Sequence, residues 1–309
     1  MKDFLSDDLI DFEKIAHTYT NRRTNQRYLG VTTFIGRFEP EYDLEYWSAR
    51  EAVKRFLGER SAKYAMFKMT VSSPVKNEFG QIDLVDKEKV TKYINKNPTN
   101  RLILLKHQEE VKRDWKENNE AKTNKGSEFH NLQEDKANFN KFRILENGRV
   151  REMADFNYIP QDIISNENKV NLSYRLPDGA YTELLVKNHE YKMSGQMDFA
   201  FVETIDGIRY MDIDDYKTND KLTFSNVYDT FIPPLNFLQH HKVNVYSIQL
   251  LLYAWMCEQY GFVMRNIRII HQPNVLAVPK IIPIHKFNTQ HDPIKIMLNI
   301  RKKEIQNLY

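Results

Sequence analysis

Two short segments joined by a tight turn constrain the fold of this chain more than any other feature. Residues 191–202 and 208–216 are typical of β-strands, and between them stands Asp206-Gly207, a dipeptide that strongly favours a two-residue hairpin. When the strands pair about that turn, opposed residue numbers have a constant sum, so Asp198 lies directly opposite Asp215. Like charges that face each other across a sheet are destabilising. We therefore expect a cation between them, and a hard divalent metal ion is the usual one.

A lysine completes this group of charges. Lys217 lies two residues beyond Asp215, so the two-residue period of a strand puts both side chains on one face. Two carboxylates and a lysine at one point are typical of a metal-dependent hydrolytic site. A bare Asp/Glu-x-Lys triplet is weak evidence, because others occur at 110–112 and 190–192 and most are solvated surface. This one ends an apolar strand, faces Asp198 and leads into a polar loop; structural ion pairing is the alternative.

Further candidates for the site lie elsewhere in the chain. His130 and Glu134 share a face if their segment is helical. The imidazole is then a candidate third metal ligand with Glu134 as its hydrogen-bonding partner, or the histidine is an ordinary surface or capping residue. Gln249 and Tyr253 are also four residues apart, in a stretch so apolar that an inward-facing glutamine is favoured over an exposed one. Glu183, in the strand before the hairpin, is a weaker candidate, and a surface role is its alternative.

Composition narrows the class of protein. The formal net charge of +3 suits an anionic substrate without requiring one. The single cysteine, Cys257, excludes a disulfide within the chain, an all-cysteine iron–sulfur cluster and a multi-cysteine zinc site. The first residues lack the hydrophobic run of a secretory signal, and no apolar stretch approaches membrane-spanning length. We therefore expect a soluble, cytoplasmic protein that is not secreted and has no membrane partner.

The order of predicted elements is that of a mixed α/β protein. Helices are predicted at 43–57, 87–94, 108–122, from 126, 244–260 and from 292. Strands are predicted at 170–174, 181–186, 191–202, 208–216, 263–271 and 280–284. We assign residues 1–120 to a mostly helical N-terminal cap region packed on the core, and residues 121–309 to a core with a central mixed sheet flanked by helices. No glycine-rich loop ending in Lys-Ser/Thr is present, which argues against an ATP motor.

Four short motifs occur in a recognisable order. They are Gly-Ser-x-x-His at 126–130, Gly-x-x-Asp at 195–198, Asp-Tyr-Lys-Thr at 215–218 and Gln-Leu-x-x-Tyr-Ala at 249–254. Together they resemble the PD-(D/E)XK nuclease superfamily, in particular the RecB-like and lambda-exonuclease-like branch found in bacteriophages and large DNA viruses. The resemblance covers about residues 115–285, and the segment at 31–35 is also similar to the family's N-terminal strand-to-helix segment. Each motif is weak alone, but four in the right order are a strong signal.

The resemblance implies a fold and a ligand set. The fold would be a restriction-endonuclease-like core with the active site at one end of the central hairpin. By the matching positions, Asp198 and Asp215 would coordinate Mg²⁺ or Mn²⁺, and His130 would complete the ligand set. Lys217 would orient or help deprotonate the attacking water and steady the developing charge. The glutamine and tyrosine of the fourth motif would position the lysine, the water or the phosphate.

The implied activity is that of a DNA exonuclease. It would hydrolyse phosphodiester bonds with one or two Mg²⁺ or Mn²⁺ ions, acting on single-stranded DNA or on duplex DNA with ends. Viral or phage replication, recombination or repair would be its setting, with proteins of those processes as partners. The iron–sulfur cluster of some RecB-like members is not expected, because it needs four cysteines. Two alternatives stay open: a structure-specific (flap) endonuclease on the same fold, and a catalytically silent DNA-binding recombination partner.

Overall fold

The computed structural model describes most of the chain and divides it into two compact units. The described residues are 10–13, 16, 18–71, 75–76, 82–83, 87–96, 98–140, 142–144, 150–152, 176, 178–226, 229–274, 276–287 and 292–307. The larger unit combines Met1–Glu39 with Gly126–Tyr309, and the smaller unit is Pro40–Lys125. The boundary predicted from the sequence is at residue 120, with residues 1–39 in the cap region.

The elements follow one another in a mixed order along the described residues. The helices are α1 (Val31–Gly36), α2 (Leu44–Leu57), α3 (Ala62–Val71), α4 (Lys87–Asn95), α5 (Pro98–Asn140), α6 (Lys242–Glu258) and α7 (Pro293–Gln306). The first strands are β1 (Ile10–Glu13), β2 (Thr18–Asn21), β3 (Gln26–Gly30), β4 (Val75–Lys76), β5 (Ile82–Asp83), β6 (Phe142–Ile144) and β7 (Val150–Glu152). The remaining strands are β8 (Gly179–Asn188), β9 (Met193–Ile205), β10 (Ile208–Lys217), β11 (Val263–His271) and β12 (Lys280–Pro283).

A mixed sheet of eight strands forms the centre of the larger unit. Its order is β1-β2-β3-β9-β10-β11-β12, with β8 also paired to β9. The β3–β9 and β10–β11 pairs are parallel, and the other pairs are antiparallel. Strand β9 is therefore central, because three other strands pair with it.

The turn between β9 and β10 sets their register as the sequence predicts. Asp206 and Gly207 both have positive φ, at 52° and 78°, which is the signature of a type I′ hairpin turn. Ile205 pairs with Ile208, and the same register continues to Phe199 opposite Asp214. Asp198 and Asp215 are the next residues along the two strands, one step beyond this last pair.

Helices cover both faces of this sheet. Ala200 and Val202 of β9 belong to the largest core cluster, which includes residues of α1, α6 and α7. The alternating Phe199 and Phe201 belong to a second cluster, with Phe129 of α5. The predicted mixed α/β architecture with flanking helices is therefore confirmed.

The smaller unit is mostly helical, as predicted for the N-terminal part of the chain. Its core joins apolar side chains of α2, α3, α4 and the first half of α5, and the buried members include Val53, Phe67, Val90 and Leu104. Asp43 caps α2 by accepting the amide of Tyr46 at 2.8 Å. Among the described residues, no helix is both long and apolar enough to span a membrane.

One predicted helix boundary is wrong. The helices expected at 108–122 and from 126 are a single helix, α5, which begins at Pro98 and runs through Gly126. A glycine inside a helix costs only about 1 kcal/mol relative to alanine, so a long helix absorbs it. The helix and strand predictions at 43–57, 87–94, 244–260, 263–271 and from 292 are confirmed to within a few residues. The strand predicted at 170–174 lies outside the described residues.

We expect the Gly207→Ala variant to unfold at lower urea concentration than the wild type. Nothing within 4 Å would meet the added Cβ, so the cost is backbone strain alone at φ +78°, about 1–2 kcal/mol. Gly36→Ala is the matched control, because its Cβ also meets nothing within 4 Å but its φ is not positive. Equal urea midpoints for the two variants would contradict the type I′ turn.

Candidate functional site

The candidate site lies where β9 and β10 separate. β10 pairs with β9 as far as Asp214 opposite Phe199. Further along the same edge of β9, at Met193 and Ser194, the partner is β3 instead. The residues between these two partners, 195–198, face an opening in the sheet.

Asp198 is the first residue inside this opening. Its Oδ2 accepts the backbone N–H of Tyr216 at 2.7 Å. That amide belongs to the part of β10 that has left β9, and a buried N–H needs a partner. The carboxylate therefore replaces a lost ladder hydrogen bond and is held against residues 215–217.

Asp215 and Lys217 complete the charged group on β10. Lys217 Nζ lies 2.7 Å from Asp215 Oδ2, and the side chains are only 16% and 2% exposed. Burial raises the pKa of Asp215 to about 6, against the opposing charge of Lys217 and with help from Asp198. Burial acts to lower the pKa of Lys217, but the two carboxylates outweigh it and raise that pKa.

His130 reaches the same carboxylate from α5. Its Nδ1 lies 3.6 Å from Asp198 Oδ1. Burial acts to lower the pKa of His130, but the negative charge of Asp198 outweighs it and raises that pKa. Burial acts to raise the pKa of Asp198, and His130, Lys217 and the Tyr216 amide together lower it. The structure thus brings all four of these residues together.

Glu183 joins the group from β8, which also pairs with β9. Ligand atoms of His130, Glu183 and Asp198 all lie within 4.8 Å of one another, a set compatible with a divalent metal ion. In the register of β8 and β9, Thr182 faces Phe199 and Leu184 faces Met197, which puts Glu183 opposite Asp198. Glu183, a weaker candidate from the sequence, therefore lies in the cluster.

The alternation of side chains between the two faces of the sheet is interrupted at Glu183 and Asp198. Tyr181 and Leu184 both belong to the largest core cluster although they are three residues apart, and so do Met197 and Ala200. In a regular strand such residues point to opposite faces. The break falls at Glu183 and Asp198, and Glu183 has a positive φ of 51°. Strained backbone of this kind is concentrated at functional sites.

Gln249 and Tyr253 belong to α6, and the Tyr253 ring lies beside Gly195 in the opening. Gln249 is buried, and its Nε2 donates to the Tyr253 hydroxyl at 3.2 Å. A Cβ at Gly195 would collide with the Tyr253 ring. The glycine of the Gly-x-x-Asp motif therefore allows the ring to approach β9 three residues before Asp198. The side chain of Glu134, another candidate, lies outside the described part of the structure.

No family model, curated protein or solved structure matches this chain.

Sequence reasoning missed one aromatic residue at the site. The Tyr246 ring lies under Lys217, with Nζ 4.7 Å from its centroid. A signal for it exists in the sequence, because positions 246, 249 and 253 are spaced three and four apart and share one face of α6.

We expect Gly195→Ala to lower stability by about 1–3 kcal/mol, since overpacking a filled site forces neighbours to move. Chemical denaturation should show most of this cost removed in the Gly195→Ala/Tyr253→Leu double variant, because the ring is what the Cβ meets. Gly126→Ala is the control, since its Cβ would make only an ordinary 3.6 Å contact with Thr218 Oγ1. A Gly195→Ala protein as stable as the wild type would contradict the close approach.

We expect Mn²⁺ to raise the melting temperature of the wild type, by the equivalent of about 2–3 kcal/mol at a hundredfold excess over its Kd. Glu183→Gln and Asp198→Asn should weaken the binding at least about tenfold by calorimetry, because each removes a charged ligand. The amide oxygen that Asp198→Asn introduces can still accept the Tyr216 amide, so the fold is spared. Glu190→Gln, on an exposed residue of the same unit, serves as control. Unchanged Mn²⁺ affinity in Glu183→Gln would exclude that carboxylate from the ligand set.

Proposed function

We propose that this protein is a metal-dependent deoxyribonuclease of the PD-(D/E)XK type that hydrolyses phosphodiester bonds, with exonuclease action favoured. One observation carries the proposal. At the opening between β9 and β10, a group of carboxylates lies beside a lysine that is largely buried. The proposal includes a restriction-endonuclease-like core, which the central hairpin, the parallel β11 and the flanking α5 and α6 support.

The side chains at the opening suit a hard divalent cation. The carboxylates of Glu183 and Asp198 and the imidazole of His130 are close enough to share one ion. Carboxylate oxygens favour Mg²⁺ or Mn²⁺, and an imidazole is better tolerated by Mn²⁺. Asp215 is not one of these three residues, but its charge acts on both His130 and Asp198, and we infer that it is a fourth ligand. A bound ion of this kind would lower the pKa of its water and offset charge on the phosphate.

The chain's own groups account for the rest of the chemistry. A phosphodiester is anionic and repels an incoming hydroxide, so the site needs donors placed where negative charge builds up. Lys217 presents an ammonium group at the edge of the acid group, where it can donate to a phosphate oxygen or to the attacking water. Gln249 donates to the Tyr253 hydroxyl, and the Tyr253 ring lies beside Gly195 of β9, so we infer that this pair supports the site from α6.

The substrate we propose is DNA, either single-stranded or duplex with free ends. The preference for exonuclease action rests on the His130 motif and the Gln-Leu-x-x-Tyr motif, which resemble those of exonucleolytic branches. Replication, recombination or repair of viral or phage DNA is the setting that the same resemblance favours.

We expect cleavage of linear DNA with Mn²⁺ or Mg²⁺, and a loss of about 10²–10³-fold in kcat for Lys217→Ala, the usual effect of removing one transition-state donor. Lys112→Ala is the matched control. Lys112 also ends a Glu-x-Lys triplet and also makes a 2.7 Å ion pair, with Glu45, but it lies in the smaller unit.

Closed-circular DNA separates the alternatives. Circles left intact while linear DNA is lost would support the exonuclease, whereas nicked circles, equally sensitive to Lys217→Ala, would favour the structure-specific endonuclease. Activity that survives Lys217→Ala would contradict the site. DNA binding without cleavage by the wild type would favour the silent binding partner.

A further inference from the structure

Tyr246 makes two contacts at the site that no proposed role yet explains. The face of its ring lies against the Lys217 ammonium, with 4.7 Å between Nζ and the ring centroid. Its hydroxyl donates to Asn219 Oδ1 at 2.8 Å. The side chain thus contacts both the lysine and the loop that follows it.

That loop is itself anchored. His271 Nε2 lies 2.7 Å from the carbonyl oxygen of Asn219. The carbonyl oxygen of Lys217 accepts the Gln272 amide at 2.9 Å. The end of β11 therefore holds both sides of the short segment from Lys217 to Asn219, and the hydroxyl bond fixes the Tyr246 ring against it.

A lysine needs such a support to work from one position. Its side chain has four rotatable bonds, so holding the ammonium in one position costs rotamer entropy. The ammonium contacts the Asp215 carboxylate at 2.7 Å and the Tyr246 ring. Asp215 is also a candidate ligand for a cation, so it is not a dedicated partner for the lysine. The Tyr246 ring is not a candidate metal ligand, and a cation over an aromatic face is attracted to it.

We propose that Tyr246 is a positioning residue for Lys217. The ring holds the ammonium over the acid group, and the hydroxyl bond to Asn219 holds the ring. The inference rests on the proposed function, in which Lys217 donates to the phosphate or the water. It assigns to Tyr246 a contribution to kcat and none to metal binding.

The test compares three variants for cleavage of linear DNA. We expect Tyr246→Leu to lower kcat roughly 10–30-fold, the size of a desolvated cation–ring contact expressed as a rate. KM and the calorimetric Kd for Mn²⁺ should stay within about threefold, since no ligand is removed. Tyr246→Phe keeps the ring and should retain kcat within about fivefold, because it loses only a single neutral hydrogen bond. Tyr210→Leu is the matched control. Tyr210 lies on β10, the strand of Lys217, and its ring contacts a different cation, with 5.8 Å between Arg265 Cζ and the ring centroid.

A spectroscopic measurement makes the inference independent of activity. Protons next to the Lys217 ammonium should show an upfield ring-current shift in the wild type and in Tyr246→Phe, and lose it in Tyr246→Leu. The signal is assigned by its absence in Lys217→Ala. A wild type without that shift, or a Tyr246→Leu enzyme with wild-type kcat, overturns the inference. So does a Tyr246→Leu protein that loses Mn²⁺ affinity together with kcat, because the role would then be general support of the site. A ring-current shift in a wild type that cleaves no DNA instead overturns the proposed function alone.

Discussion

The hydrogen bond from the Tyr216 amide to the Asp198 carboxylate is the contact on which the site depends. β9 and β10 separate at this point, and separation normally leaves buried amides without partners. Because Asp198 supplies the missing acceptor, the sheet can open without that cost. The same bond fixes the carboxylate beside Asp215 and Lys217, so the geometry of the site follows from how the opening is stabilised.

Asp215 differs from the other acids of β10 in the cation that neutralises it. Asp212 and Asp214 are each paired with an arginine of β11, at 2.9 Å and 2.6 Å. Asp215 instead relies on Lys217 of its own strand, and burial still leaves its pKa raised to about 6. Buried carboxylates crowded together in this way reduce stability. A chain that keeps them gains something other than stability, which is the physical basis for proposing a cation site here.

Parts of the structure that depend on local chemistry were predictable. The Asp206-Gly207 turn determined the register, and with it the approach of Asp198 and Asp215, because a two-residue hairpin permits few alternatives. The inward position of Gln249 was also predictable from its apolar surroundings. The unbroken helix α5 was not, because a glycine inside a helix costs only about 1 kcal/mol and so does not mark a helix end by itself. The place of Glu183 in the cluster was not predictable either. It depends on an interruption of strand alternation, and a periodic sequence pattern does not reveal such an interruption.

The sequence by itself determined which residues face each other across the central hairpin and which lie on one face of α6. Both are consequences of the backbone period within a few residues of a turn or along a single helix. The tertiary structure decided that β9 exchanges β10 for β3, that His130 reaches Asp198 from α5, and that the Tyr246 ring lies against Lys217. These contacts join segments far apart in the chain. They form only when whole faces pack together, and packing depends on shape and volume summed over many residues rather than on any local pattern.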